Sequence, residues 1–412
     1  MLLQNFFTIL KLGLDTAAIT DDDIVALKAC TQEEWQQMAD LAVKQSVAGG
    51  FFDGIQNIYK SHGEILPKTE WARELKGRLF GITLQLEQRN RKQIAVMNKV
   101  GGYMQKHGCR MMVMKGQACA AMYPNPLHRS IGDIDCYLYD DYAKGNELIR
   151  QTGVHVDDSW YKHSKFSIEG ETFENHQYFV STRGGERYKR LDAKLKELAA
   201  GSELVSWGVG ELVGRESKES REGQETKEKG KEMRDESLEF RETQSSDLLT
   251  FNSQLSTLNV TFPPVMFNAL FLTYHACIHF VSEGLRLKQV LDWVVFVKRH
   301  QEDIDWKELH DWCEEYKLNR FLVVMNAIAI QKFGVEKRNT GMKHDSPFVE
   351  KVMYSILYDD DYIFNTNKGK LARRFHIVLN MFKYRWKYYD IFEESAIKLL
   401  CTKTLAFLLK KV

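Results

Sequence analysis

Arg129-Ser130-Ile131-Gly132-Asp133-Ile134-Asp135-Cys136-Tyr137-Leu138 is the stretch that decides the reading. Apolar and acidic residues alternate, the pattern of a β-strand whose successive side chains point to opposite faces. Asp133 and Asp135 therefore share one face, and Ile134 and Cys136 take the other. The apolar pair can be buried while the carboxylates face a cleft. Two like charges held this close repel unless a cation lies between them. A hard divalent ion, Mg²⁺ or Mn²⁺, takes carboxylate oxygens together with substrate phosphates. Gly132, with no side chain, lets a ligand approach the backbone there. The alternative is a surface strand with two solvated acids.

Working outward, the chain has 412 residues, enough for two or three domains. With 57 Lys and Arg against 56 Asp and Glu, the net charge of +1 makes no global case for a nucleic-acid or membrane partner. Seven widely separated cysteines form no C-x-x-C pair and fit free thiols in a reducing cytoplasm. The start, with Phe6, Phe7, Ile9 and Leu10, has no basic segment before it and reads as a helix rather than a signal peptide. The longest apolar run, Phe321 to Ile330, is about half of the ~20 residues a membrane span needs, so no span is expected.

Residues 1–100 read as a helical domain. Thr31-Gln32-Glu33-Glu34 has capping-box form, and Trp35, Met38, Ala39 and Ala42 follow at helical spacing. Gly49-Gly50 reads as a stop, and a long amphipathic helix is expected from Trp71 to Val100. Residues 101–200 change character. Cys109–Met114 suits a buried strand, Ala118–Tyr123 a short helix, Tyr142–Gln151 a helix, and Lys165–Ile168 and Thr172–Val180 two more strands. This is an α+β unit with a small sheet. Strand alternation puts Glu174 and His176 on one face and Glu171 on the other.

Residues 201–250 form a charged insertion; Gly214 to Asp247 holds eight basic and eleven acidic residues and almost nothing large and apolar. Such a segment buries too little surface to offset chain entropy and is expected to be disordered, or else a solvated helix. Residues 251–412 return to helices, with buried stripes at Leu285–Arg299, Trp306–Tyr316 and Leu318–Phe333. The basic tail from 368 carries eleven Lys and Arg against three acids. Its Phe375, Phe382, Tyr389 and Phe392 suit helix packing more than base stacking.

Taken together, Lys115-Gly116, Tyr123-Pro124, Arg129, Gly132-Asp133-Ile134-Asp135 and Glu174-Asn175-His176 resemble the uncharacterised nucleotidyltransferase family of the polymerase-β superfamily. His275, His279, Gly284-Leu285-Arg286 and Asp292 look like its downstream pattern. The resemblance implies an α+β fold in which helical domains flank a polymerase-β-like sheet on both sides. It implies Mg²⁺-dependent transfer of a nucleoside monophosphate from an NTP to an acceptor that the sequence does not name: a small molecule, a protein or RNA. Asp133, Asp135 and Glu174 would then be catalytic and metal-binding, with Glu174 also a candidate general base. Lys115, Gly116, Arg129, Ser130, Gly132, His176 and Arg286 would meet the nucleotide. Lys115-Gly116 opens a helix, where free N–H donors attract phosphate. Arg129 has a competing reading as a structural ion pair. Two rival functions remain: a catalytically inactive relative that binds a nucleotide or protein, and a helical interaction scaffold.

Overall fold

The structure is a computed structural model that describes residues 1–200, 259–282, 284–336, 346–359, 379, 382–393 and 395. Its architecture is α+β, with one small mixed sheet among helices. The charged insertion 201–250 and Phe375 of the tail lie outside the described residues.

Four strands build the sheet: β1 (Met112–Met114), β2 (Ile134–Tyr137), β3 (His163–Ile168) and β4 (Glu171–His176), in the order β1-β2-β4-β3. β2 pairs parallel with β4, and the outer strands pair antiparallel. Parallel neighbours need a long crossover. Here it contains α7 (Tyr142–Gln151) and the β3–β4 hairpin. The alternation read from the sequence holds. Ile134, Cys136, Phe166 and Phe173 face an apolar cluster with Val96, Met97 and Val100 of the long helix α5 (Glu70–Lys106). Glu171 lies on that side too, accepting from Gln93 Nε2 at 3.2 Å. Phe179 falls past the end of β4 and packs on Tyr137 instead, with ring centroids 4.5 Å apart.

Before the sheet come α1 (Leu2–Gly13), α2 (Asp21–Lys28), α3 (Gln32–Lys44) and α4 (Ala48–His62). Thr31 caps α3 with the expected capping box, and Trp35, Met38, Ala39 and Ala42 are buried. Gly49-Gly50 is not a stop, because both residues lie inside α4. Gly49 and Gly54 instead serve close approach. A Cβ on Gly49 would sit 2.2 Å from the His128 carbonyl oxygen, and one on Gly54 only 1.9 Å from that of Ile9. Helices α1 and α4 thus cross nearly backbone to backbone.

Short α6 (Gly116–Ala120) follows β1, and α8 (Glu186–Ala200) follows the sheet. Beyond residue 259 come α9 (Val265–Ser282), α10 (Leu287–His300), α11 (Trp306–Glu315), α12 (Asn319–Phe333) and α13 (Ser346–Tyr358). The helices before and after the sheet share one apolar core, in which Phe6, Trp35 and Phe51 join Met114, Tyr137, Phe267 and Phe321. Helix α9 corrects the expectation about the longest apolar run. It has 18 residues and is long and apolar enough by composition to cross a membrane, but 67% of it is buried inside the protein. In the tail, Tyr384, Tyr388 and Phe392 are buried, whereas Phe382 and Tyr389, expected to pack, are about half exposed. A π-helical turn at Lys387–Ile391 widens the spacing and changes which residues face inward.

A buried imidazole ties the N-terminal helices to the loop before β2. His128 Nδ1 lies 2.7 Å from Asp53 and its Nε2 2.8 Å from Glu87. Burial would push this histidine down, but Asp53 and Glu87 win and raise it to about 9. A histidine raised on folding stabilises fully below its unfolded pKa of about 6.5. That stabilisation should fade as pH climbs from 6.5 to 9, and urea unfolding of wild type against His128→Gln across this window checks it. Gly54→Ala should lower stability by about 2 kcal/mol or more through the backbone clash. Gly50→Ala, whose Cβ meets nothing within 4 Å, should instead stabilise by about 0.5–1 kcal/mol through helix propensity; thermal melts of the two variants decide.

Candidate functional site

The sheet register creates the site. Asp135 stands directly opposite Glu174 across the parallel β2–β4 pair, and Lys165 stands opposite Glu174 on β3. Tyr137 is opposite His176 on the same face. One ligand atom each from Asp135, Glu174 and His176 lies within 4.8 Å of the others. Asp133, just before β2, is exposed at the rim.

Positive groups surround these acids. Lys115 Nζ lies 2.7 Å from Asp135 Oδ1, and His176 Nε2 lies 2.9 Å from the same oxygen. Lys165 Nζ is 2.6 Å from Glu174 Oε1. Burial opposes ionisation of Asp135, but Lys115 and His176 overcome it and hold the carboxyl below its ordinary value. Burial likewise opposes ionisation of Glu174, and the neighbouring His176 and Lys165 hold it far below the usual range. Asp133 goes the other way, raised by burial and by the charge on Glu174. The carboxylates therefore crowd one another, as like charges sharing a site do. Lys115 occupies a left-handed backbone conformation at φ 51°, a costly position for a lysine that places its ammonium at the acids.

A cavity of about 140 Å³ opens beside them, lined by Lys115, Gly116, Asp133 and Asp135 on one wall and by His275, Lys288 and Asp292 on another. Helix α10 supplies Lys288 and Asp292 from one face, four residues apart. Asp292 is committed to structure. It accepts from Arg129 Nε at 2.7 Å and Nη2 at 2.6 Å, and from the Tyr123 hydroxyl at 2.8 Å, all buried.

Of the residues nominated from sequence, Lys115, Gly116, Arg129, Gly132, Asp133 and Asp135 line this cavity. Glu174 and His176 adjoin it through Asp135. Ser130 and Arg286 are not brought there. Ser130 offers its carbonyl oxygen to Arg129, and Arg286 is exposed and donates to Ser46 Oγ at 3.0 Å. Arg129 reads as the ion pair, though with Asp292 rather than with Asp133 or Asp135. Helix α6 spans only five residues, so its N-terminus offers little to phosphate. Sequence reasoning missed Lys288 and Lys162. Both are drawn down to about 8, Lys288 by burial and Arg129, Lys162 by burial and Lys115. His275 lines the cavity too; burial and Lys115 push its imidazole well below the ordinary value.

This geometry coincides with a family match. Residues 31–207 match the uncharacterised nucleotidyltransferase family. The family resemblance read from the sequence is thereby borne out, and nucleotidyl transfer is the kind of chemistry the match supports. The nucleotidyltransferase span takes in α3 to α8 but ends before α9, so the downstream pattern of His275, Arg286 and Asp292 lies outside it. Neither a curated protein nor a solved structure matches the chain.

Asp292→Asn should leave Arg129 buried beside a neutral partner and cost about 3–5 kcal/mol. Guanidinium unfolding measures it; a loss under about 1 kcal/mol would contradict the structural role assigned to this pair.

Proposed function

We propose that the chain is a divalent-metal-dependent nucleotidyltransferase that moves a nucleoside monophosphate from an NTP to an acceptor hydroxyl or phosphate. The observation that carries this reading is the direct pairing of Asp135 with Glu174 across parallel strands, two residues beyond Asp133, within the span of the family match.

The donor set fits a metal. Asp133, Asp135 and Glu174 offer hard oxygen ligands for Mg²⁺ or Mn²⁺, and the raised Asp133 marks a surplus of negative charge that a cation relieves. When bound, the ion would neutralise the carboxylates and polarise a phosphoryl oxygen. Lys115 would then turn from Asp135 toward phosphate. His176 adds an imidazole nitrogen at the same oxygen.

In the transfer, the acceptor oxygen forms a bond to the α-phosphorus. The bond from that phosphorus to the bridging oxygen of the β-phosphate breaks, and pyrophosphate leaves with the electron pair. The acceptor's proton needs a base. Glu174, considered for that part on sequence, is held too acidic by His176 and Lys165 to take a proton readily. Asp133, exposed at the rim of the cavity, is the better-placed acceptor.

The lysine pairs on Asp135 and Glu174 favour a second reading, in which the acids are already neutralised and the protein binds a nucleotide without turning it over. The acceptor, as a small molecule, a protein or RNA, is left to experiment. The six described cysteines are free and five are buried, which supports a reducing compartment such as the cytoplasm.

Purified protein incubated with NTPs, Mg²⁺ or Mn²⁺ and a lysate fraction as acceptor source should release pyrophosphate. Asp135→Asn should reduce release by at least about 100-fold. Nucleotide binding without release would select the inactive reading, and undiminished release by Asp135→Asn would overturn the site.

A further inference from the structure

Arg286, the basic residue expected at the nucleotide, points to Ser46 instead. Two residues on, Lys288 lines the cavity across from Lys115, Gly116, Asp133 and Asp135. It is only partly accessible, and among the described residues its ammonium has no ion-pair or hydrogen-bond partner. The two buried acids of the cavity wall are engaged elsewhere. Asp292 holds Arg129 and Tyr123, and Asp135 holds Lys115 and His176. Buried charges are normally paired. Lys288 thus lines a pocket whose two buried acids are engaged by other cations and whose remaining acid, Asp133, lies at the exposed rim, so it still lacks a close counter-charge.

The pocket's size narrows what can supply one. About 140 Å³ is well below the roughly 300–1,000 Å³ of cavities that enclose a whole drug-sized ligand. It suits phosphates and leaves a nucleoside outside. Uncharged walls at Leu272, Ala276 and Trp293 from α9 and α10 complete it and keep the local dielectric low, which strengthens an ammonium–phosphate contact.

We infer that Lys288 grips the distal phosphates of the triphosphate, the end that departs as pyrophosphate. The inference takes its substrate from the transferase reading above, but the residue belongs to α10, outside the family-matched span. Charge grows on the leaving pyrophosphate as its bond to the α-phosphorus breaks, so a fixed ammonium there stabilises the transition state as well as the bound substrate. Lys288 would share the phosphates with Lys115 on the facing wall.

Calorimetry with inorganic tripolyphosphate, ATP and AMP in the presence of Mg²⁺ tests this on the full chain. Lys288→Met should weaken tripolyphosphate and ATP about 10- to 100-fold and leave AMP, which lacks the distal phosphates, unchanged. Lys288→Arg should keep most of the affinity. Thermal melts guard against misfolding, since Lys288→Met removes an unpaired, partly buried charge and should melt at or above the wild-type temperature. Tripolyphosphate should raise the melting temperature of wild type but not of Lys288→Met. The inference falls if wild type binds no tripolyphosphate, if Lys288→Met binds it equally well, or if AMP and ATP weaken alike. Lys288-dependent tripolyphosphate binding with no pyrophosphate released from any NTP would uphold the grip and sink the transfer. Unchanged NTP turnover in Lys288→Met would do the reverse.

Discussion

Register between β2 and β4 is the constraint on which the site depends. Parallel pairing sets Asp135 beside Glu174 and Tyr137 beside His176. A slip of β2 by one residue would turn Asp135 toward the apolar cluster under α5, where charge is costly. Ile134, Cys136 and Phe173 prevent that slip because they fill that cluster. The hydrophobic face thus fixes the positions of the carboxylates on the opposite one.

Two kinds of charge meet around the cavity, and their partners tell them apart. Arg129 and Asp292 form a two-pronged buried pair, with Tyr123 completing the acid's hydrogen bonds. That pair fastens the loop before β2 to α10. Lys115, Lys165 and His176 instead stand against acids that repel one another. Their contacts are exchangeable, because any cation that neutralised Asp135 and Glu174 would free the lysines for another anion.

Much of the sheet was legible because period-two alternation depends only on neighbours in sequence. Asp133, Asp135, Glu174 and His176 fell on the right face for that reason, and α7 was placed at Tyr142–Gln151, matching its observed bounds. Long-range partners were not legible. Arg129 finds Asp292 across 163 residues, and nothing local distinguishes that aspartate from Asp133. Lys288 looked like one more basic residue beside Arg286, since which face of α10 meets the cavity depends on how it packs against α9 and α6. Gly49-Gly50 misled because a glycine that ends a helix and one that lets another backbone approach, as Gly49 does at His128, look the same in sequence. Helix α9 is apolar nearly all round, so it gave no stripe from which a face could be read.

One aromatic cluster has a consequence for where the chain can be cut. Tyr137 packs on Phe179, which in turn meets Phe267 and Phe271 of α9 edge-on, with Phe179–Phe267 centroids 4.9 Å apart. The segment that carries the family signature therefore relies on distant helices as its lid. Excised at residue 207, it would present bare rings to water and tend to self-associate.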